Sequence, residues 1–260
     1  MNCKAMKFLS LAGALLCFAN ISVATTFNSS TTITGTGYDT IDVYDFIPDF
    51  MTTTIEFYGS TVNLNTYDSS TFNMRDGSVV GDYFNDPTST LNDSSTVNVY
   101  SGAAFSGGSG SLLDLYNSAT LNILGGSAGT FVIAHDSSTI NMYSGILAYP
   151  GLCDQSTLNV YGGSSNTFLS NHYSPGSTAT INIYASSYTY DPEAQFNYID
   201  DPATGWWVSR LTATGLNGES IVVMGISDPS ISDNINIIPE PTTLILLGIG
   251  ALTIRKRSAV

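Results

Sequence analysis

Between Thr54 and Tyr184 apolar and polar residues alternate in short bursts, and one five-residue pattern, Ser/Ala-Thr-apolar-Asn-apolar, recurs, often followed by Tyr and Gly. Its copies are Ser60-Thr61-Val62-Asn63-Leu64, Ser70-Thr71-Phe72-Asn73-Met74, Ser95-Thr96-Val97-Asn98-Val99, Ala119-Thr120-Leu121-Asn122-Ile123, Ser138-Thr139-Ile140-Asn141-Met142, Ser156-Thr157-Leu158-Asn159-Val160 and Ala179-Thr180-Ile181-Asn182-Ile183. Weaker echoes stand at Thr40-Ile41-Asp42-Val43-Tyr44 and Thr54-Ile55-Glu56-Phe57-Tyr58. A period of two puts Val97 and Val99 on one face and Thr96, Asn98 and Tyr100 on the other, as a half-buried strand requires. From Thr71 onward the copies are 25, 24, 19, 18 and 23 residues apart. Steps of that length match one coil of a β-helix.

Gly-containing pairs follow most copies, at Ser101-Gly102, Gly125-Gly126, Ser144-Gly145 and Gly162-Gly163, and predict corners. Short apolar runs such as Leu112-Leu113, Phe131-Val132-Ile133 and Ile146-Leu147 predict further sides of each coil. The expected fold is all-β: a right-handed parallel β-helix over residues 25–189, closed by a β cap over 190–237. Irregular steps leave a transverse β-sandwich as the other arrangement. Parallel stacking would bury the apolar columns and align Thr, Asn and Tyr in outward ladders about 4.8 Å apart.

The two ends have a different pattern. Residues 1–24 carry Lys4 and Lys7, an apolar run from Phe8 to Ala19, and Ser22-Val23-Ala24. That order predicts a helical secretory signal peptide cut after Ala24. A lipoprotein route through Cys17 is disfavoured by Leu16, which stands where a small residue is wanted. At residues 238–260, Ile238-Pro239-Glu240-Pro241 precedes an apolar run from Leu244 to Ile254 and the cluster Arg255-Lys256-Arg257. Two prolines oppose helix upstream, the apolar segment enters a bilayer, and three cations hold its end on the cytoplasmic side. From Thr242 to Ile254 a transmembrane helix would span about 20 Å against a hydrocarbon core of about 30 Å, so the anchor is weak or transient.

This tail resembles the PEP-CTERM sorting signal, with Pro239, Glu240 and Pro241 as its motif and Arg255, Lys256 and Arg257 as its membrane stop. The resemblance covers about the last 23 residues of the chain. It implies a Gram-negative source and recognition by an exosortase-type membrane protease. It also implies processing near Pro239 to Pro241 and delivery to the cell surface or the extracellular polysaccharide matrix.

Charge narrows the function classes. Only 11% of residues are charged, and between Thr25 and Ile237 there are 20 acidic residues against two basic ones, Arg75 and Arg210, a formal charge of 20 − 2 = 18 negative. Such a surface repels phosphate backbones, so nucleic acid is excluded as a partner. A polysaccharide lyase would need a cationic base beside an acidic sugar, and this stretch contains no lysine. Asp200-Asp201, the one adjacent carboxylate pair, stands before Pro202 and reads as a turn. His135 and His172 lack a second ligand at metal-site spacing, and Gly107-Gly108-Ser109-Gly110 is followed by Leu112 where a calcium-binding nonapeptide needs Asp. No catalytic set, cofactor or dedicated metal site is therefore expected. Scattered Asp could bind Ca²⁺ weakly, though solubilising charge is the plainer role. After Ala24 the only cysteine is Cys153, so no internal disulfide is available.

One outward feature has chemistry to offer. Tyr100, Tyr143, Tyr161 and Tyr184 form a column interrupted by Leu124, and spaced aromatic rings stack on sugars or on one another. The expected protein is thus a non-enzymatic, exported surface or matrix protein, with a carbohydrate-active or exopolysaccharide-binding β-helix as the alternative. An anchored receptor would instead retain its tail.

Overall fold

A computed structural model describes residues 16–17, 25–45, 52–81, 89–107, 112–165, 169–170, 177–196, 206–216, 218–224 and 234–239. The described residues are strands and turns, with no helix among them. Pairing is parallel from Thr25 to Ser170, and the strands fall into three stacks that the chain visits in rotation.

The first stack holds 31–34, 54–58, 71–74, 96–99, 120–123, 139–142, 157–160, 180–183 and 235–238. Its register is in phase from copy to copy: Thr71, Thr96, Thr120, Thr139, Thr157 and Thr180 pair in succession. Because the period of two survives in every copy, Phe72, Val97, Leu121, Ile140 and Leu158 line one column with no exposed surface. Met74, Val99, Ile123, Met142 and Val160 line a second, equally buried. The second stack includes 59–61, 77–80, 103–106, 127–128, 146–147, 163–165 and 221–223. The third holds 40–43, 63–66, 89–91, 112–115, 131–134, 149–152 and 169–170. One hydrophobic core runs between all three.

This placement corrects part of the repeat. Thr40–Val43 and Asn63–Leu64 fit the motif by sequence but pair with each other in the third stack. The weak echo Thr54-Ile55-Glu56-Phe57 is the copy that precedes Thr71 in the first. Alternation is the same on every side, so only the corners determine which stack a strand joins.

The corners differ in kind. At five consecutive corners between the third and first stacks the turn is four residues: 67–70, 92–95, 116–119, 135–138 and 153–156. In each, the fourth N–H donates to the first carbonyl at 3.0–3.2 Å. Its second residue, Asp68, Asp93, Asn117, Asp136 or Asp154, has φ of 54–60°. Asp and Asn tolerate that left-handed conformation better than other residues with a Cβ. The fourth residue, Ser70, Ser95, Ala119, Ser138 or Ser156, is fully buried and must be small. Between the first and second stacks the corner is a column of glycines. Between the second and third, the gap shrinks from seven residues (82–88) to one (148), which accounts for much of the shortening of the step from 25 to 18.

The segment expected as a β cap adds strands to the same stacks. Thr180–Phe196 continues past Tyr190 and pairs antiparallel with Trp206–Gly215, which pairs antiparallel with Ser220–Met224. Ser220–Met224 then extends the second stack on Gly163–Ser165, and Ile235–Ile238 extends the first on Thr180–Phe196. Of the expected signal segment, Leu16–Cys17 is described, and it pairs as a short strand with Ile33 and Thr34 where the sequence reading expects helix.

Candidate functional site: the outward ladders

The outward position between the two apolar columns of the first stack is Asn in seven consecutive strands, and these amides form one directional chain. Asn98 Nδ2 donates to Asn73 Oδ1 at 2.7 Å, Asn122 to Asn98 at 2.7 Å, Asn141 to Asn122 at 2.8 Å, and Asn159 to Asn141 at 2.8 Å. Asn182 continues it to Asn159 at 2.9 Å, and Asn236 to Asn182 at 3.0 Å across 54 residues of sequence. In-phase register places equivalent atoms one strand spacing apart, so every amide bonds the next in the same sense.

The ladder ends on Glu56, which occupies the same column. Asn73 Nδ2 donates to Glu56 Oε1 at 2.7 Å, and Arg75 Nε donates to Oε2 at 2.6 Å. The Arg75 hydrogen bond, helped by Asn73, holds the Glu56 carboxyl below the usual carboxylate range against the opposing effect of burial. Arg75 in turn lies 3.8 Å from the centroid of the Tyr100 ring, a cation–π contact. One of the two cations of the acidic body thus terminates the amide chain and covers an aromatic face.

Tyr143, Tyr161 and Tyr184 form a continuous stack, with centroids 4.8 and 4.3 Å apart and interplanar angles of 6° and 15°. Tyr100 is not part of it: Leu124 pairs with Tyr100 on one side and Ser144 on the other. Burial, then a hydrogen bond with Tyr184, pushes the Tyr161 phenol up to about 12. A second ring column stands at the residue that directly follows a third-stack strand. There Tyr44 stacks on Tyr67 at 4.4 Å and 2°, and Tyr116 on His135 at 4.8 Å and 7°.

The Asp column at the next turn position is taken up by the backbone. Asp93 accepts the Asp68 N–H at 3.2 Å, Asp136 accepts the Asn117 N–H at 2.9 Å, and Asp154 accepts the Asp136 N–H at 3.2 Å. Among the described residues no three His, Cys, Asp or Glu side chains converge as a metal site. Sequence reasoning missed these turns, although Asp-Ser-Ser, Asn-Ser-Ala or Asp-Gln-Ser precedes each of five consecutive motif threonines at one fixed offset.

Chemically, this surface is directed along its own axis. The stacked Tyr rings cover one another's faces, leaving edges and hydroxyls outward. Each half-buried amide from Asn98 to Asn182 uses one N–H and one oxygen lone pair along the ladder and keeps one of each for solvent, whereas Asn73 is buried. Replacing a middle amide tests its worth: Asn122→Ala deletes two hydrogen bonds and is expected to lower stability by about 2 kcal/mol at about 1 kcal/mol each. A urea titration should show a lower midpoint with unchanged slope. An unchanged midpoint would mean that water replaces the ladder at no cost.

Of the other residues singled out by sequence, Pro239 directly follows the last strand and is exposed. Glu240, Pro241, Arg255, Lys256, Arg257, His172 and Asp200-Asp201 lie outside the described residues. No protein-family model, curated protein or solved structure matches this chain.

Proposed function

We propose that this is a non-enzymatic structural protein of the bacterial surface or extracellular matrix, whose body is a right-handed parallel β-solenoid. Export uses the leader through Ala24. An exosortase-type protease reads Pro239, Glu240 and Pro241 while the apolar tail and Arg255, Lys256 and Arg257 hold the chain transiently in the membrane. The observation that supports a structural role is the engagement of the outward polar and aromatic groups in ladders along the stack. An active site needs groups converging on a substrate, and here the amides, carboxylates and rings are oriented toward their own copies one coil away.

The outward N–H and lone pair kept by each Asn, beside tyrosine edges, favour a second reading: hydrogen bonding to a neutral exopolysaccharide. Retention of the mature protein on polysaccharide beads, lost in Asn141→Ala and Asn159→Ala, would carry that reading.

The main proposal is tested by expressing the full chain, tagged after Ala24, with and without an exosortase and determining the mature C-terminus by mass spectrometry. Loss of the tail near Pro239 to Pro241 only with the protease is expected. An intact tail in both strains would overturn sorting and leave a weakly anchored membrane protein.

A further inference from the structure

Three tyrosine pairs are stacked, and Tyr143–Tyr161, with centroids 4.8 Å apart, is the widest of them. Tyr44 and Tyr67 lie with centroids 4.4 Å apart and rings 2° from parallel, and Tyr161 and Tyr184 are 4.3 Å apart and 15° from parallel. Both span the same sequence distance, 67 − 44 = 184 − 161 = 23 residues, and so join consecutive coils. One pair sits near the N-terminal end of the three stacks and the other near the C-terminal end. The ends of a repeat array have a neighbour on one side only and open first. Cys153 is buried and is the sole cysteine after Ala24, so a disulfide cannot tie either end.

We infer that Tyr44–Tyr67 and Tyr161–Tyr184 are oxidative cross-linking sites, at which a one-electron oxidant of the peroxidase–peroxide class joins the paired rings and staples the two ends of the stack covalently. Each phenol loses one electron and one proton to become a phenoxyl radical, whose spin resides partly on the ring carbons beside the oxygen. Two such carbons form a C–C bond, and their two hydrogens move to the phenolic oxygens as both rings regain aromaticity. Hydrogen peroxide takes up the two electrons and two protons and leaves as two waters, so the protein loses two hydrogen atoms per cross-link. Coupling requires two radicals in contact, which the stack supplies in advance. Tyr116–His135, at 4.8 Å and 7°, and Phe131–Tyr149, at 4.9 Å and 29°, are stacked similarly but lack a second phenol and serve as internal controls.

This site rests on the surface-protein reading only for its supply of oxidant. The purified chain, kept dilute, is treated with a plant peroxidase and hydrogen peroxide, then digested and mapped by mass spectrometry. Linked peptides carrying Tyr44 with Tyr67 and Tyr161 with Tyr184, each two hydrogens lighter, are expected, together with biphenol fluorescence and a higher Tm. Tyr161→Phe keeps the ring stack and should lose the C-terminal link alone; Tyr67→Phe should lose the N-terminal link alone. Links that scatter onto the exposed Tyr58, Tyr143 and Tyr188, form equally well in urea-unfolded chain, or persist in the Phe variants would overturn the inference, as would a peroxidase-treated protein with no link. A failed sorting experiment would leave this result untouched.

Discussion

Gly77→Ala is expected to lower stability by about 4 kcal/mol, or to prevent folding altogether. Gly77 has φ of +89°, and a Cβ there would lie 1.7 Å from the carbonyl oxygen of Gly59 in the neighbouring strand. The conformation alone costs an L-residue about 1–2 kcal/mol. Overlap with a backbone atom adds roughly 1–3 kcal/mol, because no flexible side-chain end is available to give way. Gly59 has the same relation to Gly35, at 1.9 Å, and Gly145 to Gly126, at 2.1 Å, so the corner is a column in which each strand rests on the one before it. Gly218 separates the two costs, since its φ is +81° but nothing stands within 4 Å of its Cβ position. Gly218→Ala should therefore lose only the conformational share. Urea midpoints of the two variants provide the comparison, and a Gly77→Ala no worse than Gly218→Ala would refute close contact at this corner.

Phe72→Ala is expected to cost about 4 kcal/mol, within the usual range for removing a buried aromatic ring. Phe72 is fully buried, and its ring lies 5.2 Å from that of Phe57 at an interplanar angle of 39°. It pairs with Ile55 on one side and Val97 on the other. Strands hydrogen-bonded on both edges cannot close around the void, so the cavity persists and the loss sits near the upper part of that range. The strand of Phe72 pairs with 54–57 and 96–99, so the damage should also be local. Amide exchange protection should fall most at 54–57 and 96–99 and least at 180–183. A uniform loss along the chain would show that the body unfolds as one unit.

The alternating pattern legible in the chain is strongest where the first stack lies. Thr71-Phe72-Asn73-Met74 and its five later copies have the expected faces, with Phe72 and Met74 inward and Asn73 at the ladder position. Gly102, Gly125, Gly145 and Gly163 stand at the predicted corners with positive φ. Ser60-Thr61-Val62-Asn63-Leu64 misled because its letters match while it turns a corner: Ser60 and Thr61 belong to the second stack, Asn63 and Leu64 to the third. Strand patterning records inside and outside, and all three sides share one inside. The fixed Asp/Asn turn would have resolved the ambiguity, since it precedes the motif threonine at Thr71, Thr96, Thr120, Thr139 and Thr157 and does not precede Thr61.

Sequence alone determined the all-β character of the described residues, the buried columns, the negative formal charge, and the expectation of outward Asn and Tyr. These depend on local periodicity and composition, which each segment carries by itself. Tertiary structure decided which outward groups meet. It placed Asn236 on Asn182 from 54 residues away, closed the amide chain on Glu56, set Arg75 over Tyr100, and separated that ring from the Tyr143–Tyr161–Tyr184 stack. It also paired Tyr44 with Tyr67 and Tyr116 with His135, contacts that no motif spacing announces. The reason is register: a ladder bond needs two atoms one strand spacing apart, and that alignment is set by the lengths of corners elsewhere in the chain.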